Sequence, residues 1–196
     1  NVSLDLNGFS LRGVEGAGVA IRTSSDRSVT IRNGTIRMWS IGVLGSGNSN
    51  PGVVRCEDIT VSECFDQGFI LPDGAQLLRC TATRCGSMGF WLGSACRVTQ
   101  CVARDNGDNA KSGFNGGFTT GAGCIFVDCT AESNAGDGFV GASGCRWMNC
   151  VSNQNGGAGF ATGYSSLSSC SAADNLGAGI VGYDGAVIEH CTLTSN

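Results

Sequence analysis

Residues 124–144 read CIFVDCTAESNAGDGFVGASG, and the next 21 residues, 145–165, read CRWMNCVSNQNGGAGFATGYS. Both stretches carry cysteine at their first and sixth positions, an aromatic residue at the third, and a Gly-Phe pair in their second half. A repeat of this length is too short to bury an apolar face alone, so it has to pack against copies of itself. The pattern therefore predicts a stack of similar coils.

The second cysteine of the repeat defines a column that extends along the chain. Its predicted members are Gly8, Gly34, Cys56, Cys80, Cys101, Cys129, Cys150, Cys170 and Cys191. The steps between them run from 20 to 28 residues, with a basic period near 21. Insertions in such repeats map to loops. We therefore expect about nine coils.

Other columns stand at fixed offsets from that cysteine. The residue three positions before it is apolar, as in Leu77, Val98 and Phe126, and the residue two positions after it is commonly alanine. Apolar residues at a period of two mark short strands with one inward face. Pairs such as Gly89-Phe90 and Gly138-Phe139 begin a third strand. The fold class is thus all-β, a parallel β-helix with three short strands per coil in a single domain over residues 1–196.

An asparagine column lies five residues after the cysteine, at Asn106, Asn134, Asn155 and Asn175, with Cys85 in the equivalent place one coil earlier. Asparagine tolerates the left-handed conformation, and stacked amides can hydrogen-bond from coil to coil. This column predicts an internal asparagine ladder. The alternative is that asparagine is simply common in turns.

Charge and composition exclude several functions. The formal net charge is −4 and the basic residues are scattered, so no basic stripe is available for nucleic acid. No apolar run is long enough for a transmembrane segment, and the N-terminus lacks a signal-peptide pattern.

Because residues at both termini resemble interior coils, we expect a fragment of a longer chain. Exposed coil edges would then favour end-to-end or lateral oligomerisation.

The 12 cysteines are too regularly spaced for an ordinary disulfide framework. Parallel, in-register side chains meet the dihedral requirement of a disulfide poorly, although coil spacing alone would permit one. We therefore predict buried thiols that act as small apolar fillers, with disulfides as the alternative. No cysteine or histidine spacing is typical of a metal site.

The segments LDLNGFSL (residues 4–11) and VTIRNGTI (residues 29–36) resemble opening coils of the pectin-lyase-like superfamily. This resemblance covers essentially the whole chain and implies a right-handed helix. It also implies an extracellular or cell-surface location and a polysaccharide or cell-surface glycan as partner. The implied activity is that of a lyase, hydrolase or epimerase, with Ca²⁺ as a cofactor if the chain is a lyase. The motif is specific for the fold and says little about the chemistry.

Candidate site residues gather around the insertion of the fifth coil, residues 107–118, because long loops on a rigid solenoid commonly carry function. The catalytic candidates are Asp105, Asp108, Lys111, Asp128 and Glu132. The substrate-binding candidates are Arg104, Asn109, Tyr164 and Tyr183, the tyrosines as platforms for sugar rings. The alternative is a solvated loop beside core or turn tyrosines.

Two further functions remain open. One is a structural or adhesive surface β-helix without an active site, which the scarcity of stacked acidic residues favours. The other is ice binding, because the column after the cysteine contains Thr35, Thr81, Thr130 and Thr192. In this alignment Glu57, Val102 and Val151 interrupt that threonine column.

Overall fold

The structure is a computed structural model that describes residues 1–14, 17–23, 27–45, 52–108 and 116–196. All regular elements in these ranges are β-strands. In chain order they are β1 (Val2–Asp5), β2 (Ser10–Arg12), β3 (Val19–Thr23), β4 (Val29–Arg37), β5 (Ile41–Gly45), β6 (Val54–Ser62), β7 (Phe69–Leu71), β8 (Gln76–Leu78), β9 (Thr81–Thr83), β10 (Met88–Leu92), β11 (Arg97–Thr99), β12 (Val102–Arg104), β13 (Gly116–Thr120), β14 (Ile125–Val127), β15 (Thr130–Glu132), β16 (Asp137–Gly141), β17 (Arg146–Met148), β18 (Val151–Asn153), β19 (Phe160–Thr162), β20 (Ser166–Ser168), β21 (Ser171–Ala173), β22 (Ile180–Gly182), β23 (Val187–Glu189) and β24 (Thr192–Thr194).

The strands form a parallel β-helix. Sheet 1 contains the first strand of each coil (β8, β11, β14, β17, β20 and β23), sheet 2 the second (β9, β12, β15, β18, β21 and β24), and sheet 3 the third (β3, β5, β7, β10, β13, β16, β19 and β22). Each strand pairs in parallel with the equivalent strands of the neighbouring coils, as Val98 does with Leu77 and Phe126. The described residues make eight complete turns and the first two strands of a ninth. The predicted fold class is confirmed, and the count of nine coils is nearly met.

Sheets 1 and 2 are continuous near the N-terminus. β4 and β6 have nine residues each and span both sheets, because their mutual hydrogen-bond ladder runs on across the corner. That corner is still marked by positive φ angles, 58° at Asn33 and 54° at Asp58. In later coils the corner interrupts the ladder and separates two three-residue strands.

Aromatic rings inside the helix stack directly from coil to coil. Phe90 and Phe118 lie 4.6 Å apart between ring centroids, and Phe118 and Phe139 lie 4.9 Å apart, with interplanar angles of 8° and 2°. All three side chains are buried. The glycine before each of these phenylalanines is required by the close approach of the next coil, since a Cβ atom at Gly89 would lie 2.9 Å from Nδ2 of Asn106. Stacked identical residues therefore form the core.

The asparagine ladder is confirmed. The side-chain amide of Asn106 donates to Oδ1 of Asn134 at 2.9 Å, and the same 2.9 Å bond links Asn134 to Asn155 and Asn155 to Asn175. Each amide also donates to a backbone carbonyl of the preceding coil, as Asn106 does to Ala82 at 3.1 Å. The ladder extends one step further than predicted, because Asn175 donates to Asn196 at 2.8 Å.

All 12 cysteines are free thiols, and eleven of them are buried while Cys191 is half-buried. Burial raises the pKa of the Cys56 and Cys101 thiols, so both remain neutral. They fill space between coils as small apolar groups, as predicted. Some bridge coils weakly: Cys80 donates from its Sγ to the carbonyl of Cys56 at 3.3 Å.

The predicted register of the third coil is wrong by three residues. Cys56 pairs with Leu77 rather than with Cys80, and Ile59 occupies the place of the column cysteine, since Thr60 pairs with Thr81. Both Ile59 and Cys80 are fully buried. The position requires a buried apolar side chain, and either isoleucine or cysteine meets that requirement. An alignment on cysteine identity therefore selected the wrong residue.

Candidate functional site

Three of the predicted site residues meet at the corner where sheet 2 ends. Arg104 and Glu132 are register partners on β12 and β15, and their side chains form a salt bridge with 2.7 Å between Nη2 and Oε2. The backbone N–H of Asp105 donates to the carbonyl of Glu132 at 3.1 Å. The structure thus brings Arg104, Asp105 and Glu132 together, and we call them the corner cluster.

Other candidates lie elsewhere. Asp128 is at the corner before β15, at the opposite end of that strand from Glu132, and accepts a hydrogen bond from Asn149 at 3.2 Å. Asp108 is exposed just after Gly107. Asn109 and Lys111 lie outside the described residues. Tyr164 and Tyr183 are exposed on the turns between sheets 3 and 1.

Four surface arginines are each neutralised by a carboxylate of an adjacent coil. The described residues form four salt bridges, of which Arg104–Glu132 is one and the others are Arg32–Asp5, Arg79–Asp58 and Arg84–Glu63. The guanidinium of Arg79, hydrogen-bonded to Asp58 at 2.6 and 2.8 Å, lowers the pKa of that carboxyl. Each of these pairs joins one coil to the next.

Seven other arginines have no acidic partner among the described residues, and three of these seven lie on one sheet. Arg55, Arg97 and Arg146 project outward from sheet 1 and form what we call the arginine row. Coil-by-coil pairing puts all three in one line: Arg55 pairs with Gln76 and Gln76 with Arg97, and beyond them Arg97 pairs with Ile125 and Ile125 with Arg146. The row therefore has an arginine at every second coil.

The outward side of sheet 1, which we call face 1, carries two shallow depressions that meet at Arg55. One, of about 370 Å³, is lined by residues including Thr30 and Arg55. The other, of about 240 Å³, is lined by residues including Arg55, Gln76 and Arg97. The larger depression presents the hydroxyl group of Thr30 and the guanidinium of Arg55 to a ligand. In the smaller one, Arg55 donates a hydrogen bond to Oε1 of Gln76 at 2.9 Å.

Sequence reasoning missed the arginine row because of the register error in the third coil. With Cys56 in the cysteine column, Arg55 falls one residue before it, in line with Arg79 rather than with Arg97. The corrected register puts Arg55 four residues before Ile59, as Arg97 stands four residues before Cys101. Aligning on burial pattern instead of on cysteine would have revealed the row.

The described ranges contain neither a side-chain cluster suited to a metal ion nor a helix that could span a membrane. There, no three His, Cys, Asp or Glu side chains converge closely enough to hold a metal ion. The same part of the chain has no helix with the length and apolar character needed to cross a membrane.

Comparison with known proteins supports the architecture. The profile of a family described as right-handed beta helix region matches residues 39–192. No curated protein matches the sequence. Among solved structures, the chain is similar to the A-module of a mannuronan C-5 epimerase from Azotobacter vinelandii, with a TM-score of 0.53 and 14% sequence identity. That alignment covers 98% of this chain and 64% of the module, so the chain spans less than two thirds of its structural neighbour.

Proposed function

Because the chain belongs to the right-handed β-helix region family, we propose that it binds an extended acidic polysaccharide along face 1. The observation that carries this proposal is the arginine row, Arg55, Arg97 and Arg146. The similar epimerase module is named for a mannuronan substrate, which supports the polysaccharide class without defining it for this chain. A polysaccharide ligand also implies an extracellular or cell-surface location.

The spacing of the row suits a polymer better than a compact ligand. Neighbouring parallel strands lie about 4.8 Å apart, so arginines at every second coil recur at about 9.6 Å along the helix axis. An extended polyuronate with alternating residue orientation presents the carboxylates of every second sugar on one side. Such a polymer could contact successive arginines with successive carboxylates.

The chemistry of face 1 fits the same ligand. A guanidinium donates two parallel hydrogen bonds to a carboxylate, which is a strong and geometrically specific contact. Between the arginines the face carries Gln76, Ile125, Val127 and Met148, and Glu57 adds one carboxylate to the depression that Arg55 and Arg97 line. Apolar groups of this kind can pack against the C–H surfaces of sugar rings while the arginines select the charge.

Binding to matched polymers tests the proposal. Polymannuronate and polygalacturonate are titrated against the protein by calorimetry, beside the carboxyl-reduced form of each polymer. We expect the acidic forms to bind and Arg97→Gln with Arg146→Gln to weaken binding about tenfold or more, because each charged hydrogen bond contributes about 1.5–3 kcal/mol. Arg84→Gln, whose guanidinium pairs with Glu63, is the control and should bind within about twofold of wild type.

Three results of this binding experiment would contradict different parts of the proposal. Equal binding of acidic and carboxyl-reduced polymers would contradict the choice of an acidic ligand. Equal binding by the double variant and Arg84→Gln would remove the arginine row from the site. Failure of every polymer to bind would favour the structural or adhesive alternative.

A lyase, hydrolase or epimerase reaction stays a separate prediction for the corner cluster, which lies at the far end of sheet 2 and would act on a polymer segment there rather than on one bound along face 1. In the corner cluster, Asp105 lies next to the Arg104–Glu132 pair. Catalytic roles for Asp108, Lys111 and Asp128 stay predictions. Asp105→Asn is expected to abolish lyase, hydrolase or epimerase activity without weakening binding to face 1, since these residues belong to another side of the coil. Acidic groups do not converge into a calcium cage among the described residues; calcium dependence stays a prediction that EDTA dialysis tests.

One observation favours ice binding as a second candidate. In the corrected register Thr60, and not Glu57, lies in the outward column of sheet 2 with Thr35 and Thr81. Against it, the neighbouring outward column of the same sheet contains Arg37, Arg104 and Glu132, and charged groups bind liquid water rather than ice. Thermal hysteresis of the purified chain tests this candidate, and its absence would exclude it.

A further inference from the structure

The turn from sheet 3 to sheet 1 is shorter in the seventh coil than in its neighbours. It has three residues between β19 and β20, residues 163–165, but four between β16 and β17 and four between β22 and β23. The same four-residue turn occurs in the third, fourth and fifth coils. The seventh coil therefore departs from the repeat at one corner.

The shortened turn contains a tyrosine where other coils have glycine. The position six residues before the column residue has a positive φ angle in each of these coils, and it is Gly74, Gly123, Gly144 or Gly185 in four of them and Ala95 in another. In the seventh coil it is Tyr164, with φ 41°. A bulky aromatic residue in this region of conformational space is unfavourable, so stability alone would favour glycine here as well.

The strained tyrosine is exposed and lies beside a second one. Tyr164 retains 63% of its accessible surface and Tyr183, in the next coil, retains 67%. The Tyr164 ring lies over Gly185, since a Cβ atom there would be 2.7 Å from its Cδ1. Tyr183 lies over Gly163 at a larger distance, with its Cβ and its ring atom Cδ2 both 3.9 Å from where a Cβ of Gly163 would stand. Each ring thus lies over a glycine of the other's turn.

The two tyrosines adjoin the end of the arginine row. The carbonyl of Tyr164 accepts a hydrogen bond from the backbone N–H of Gly144 at 2.9 Å. Ser166, two residues after Tyr164, pairs with Arg146, two residues after Gly144. A polymer that follows face 1 past Arg146 therefore reaches the edge at which the tyrosines lie.

We infer that Tyr164 and Tyr183 form an aromatic platform that stacks against a pyranose ring of the polysaccharide bound on face 1, an inference that rests on the proposed function. Tyrosine presents a large, rigid, amphipathic surface and loses little conformational entropy on binding. Two adjacent rings over glycines offer a broad contact surface for the C–H side of a sugar. The unfavourable backbone of Tyr164 is explained by that role, since strain commonly marks a functional position.

Tyr164→Gly separates this role from a structural one. We expect polysaccharide binding to weaken about tenfold because the stacked ring is lost. The melting temperature should stay unchanged or rise, because glycine adopts the positive φ angle without strain. Ala95→Gly makes the same backbone change at the equivalent position of another coil and should leave binding unchanged. Tyr164→Phe keeps the ring and should bind within about twofold of wild type.

The outcomes distinguish the platform from the proposed function. If wild type binds the acidic polymer and Tyr164→Gly binds equally well, the platform is overturned while binding along face 1 stands. A lower melting temperature together with unchanged binding would assign Tyr164 a structural role. If wild type binds no polymer, the proposed function fails and the platform with it.

Discussion

Adjacent residues of the same strand follow opposite rules on the inside of the helix and on face 1. On β14, Phe126 is buried and stacks on Trp147 with 6.2 Å between ring centroids. Ile125, immediately before it, faces outward between Arg97 and Arg146. Inward columns repeat one kind of side chain, whereas the outward column alternates. Uniform columns therefore indicate packing, whereas outward columns are free of that constraint and can present ligand-binding groups such as the arginine row.

The comparison predicts that inward substitutions lower stability and leave ligand binding intact in the folded fraction. The largest effect is expected from Phe118→Ala, which opens a cavity in the phenylalanine stack and should lower the free energy of unfolding by about 3–5 kcal/mol. Thr119→Ala, at the next and outward position of the same strand, is the control and should change it by less than about 0.5 kcal/mol. Urea unfolding followed by circular dichroism measures both, and equal effects would contradict the inside–outside distinction.

Ile59→Ala tests the corrected register of the third coil. As a fully buried residue, Ile59 should lose about 2–5 kcal/mol of stability on truncation. Had Cys56 been the column residue, Ile59 would lie three positions after it and face solvent, and truncation would have almost no effect. Chemical denaturation of the variant, beside Thr60→Ala at the next outward position, decides between the two registers.

The asparagine ladder should show a smaller but clear effect. Asn155→Ala removes the acceptor of Asn134 and the donor to Asn175, which leaves buried groups unpaired at about 1–3 kcal/mol each. Asn153→Ala changes the same residue type at the outward position of β18 and provides the control. A near-neutral result for Asn155→Ala would mean that water replaces the amide inside the helix.

The smallest effect is expected at an exposed ion pair and depends on pH. Hydrogen bonds from Arg79 lower the pKa of Asp58 below its ordinary value of 3.8. The pair therefore stabilises the folded state above about pH 4, and this contribution disappears as the pH falls through the lowered pKa. Because the carboxyl is 41% exposed, Asp58→Asn should cost less than about 1 kcal/mol at pH 7. That difference should vanish near pH 2, while Thr60→Ala, which removes no charge, should show no such trend.

Much of the interior was predictable from residue types alone. Leu77, Val98 and Phe126 are buried as their period of two predicts, and Asn106 to Asn175 form the expected ladder. The error in the third coil arose where Ile59 replaces cysteine, because burial requires an apolar shape and is indifferent to the thiol. That one shift of three residues also hid Arg55 from the arginine row.

The candidate site was less predictable. Arg104, Asp105 and Glu132 were expected together and lie together, whereas Asp128 lies at the other end of β15. Tyr164 and Tyr183 lie near each other on the turns of adjacent coils, of three residues and four residues respectively. Outward neighbours depend on how coils of unequal length align, which residue spacing within a single coil does not reveal.

The amino-acid sequence alone determined the coil repeat, the inward columns and the asparagine ladder. Every coil must bury the same faces against the next, so the requirement is repeated in residue type about every 21 positions. Only the tertiary structure decided which exposed side chains share a line, such as Arg55 with Arg97 and Arg146, or Tyr164 with Tyr183. Water accommodates almost any side chain on the outside, so those neighbours are set by strand pairing between coils and leave no repeated pattern in the sequence.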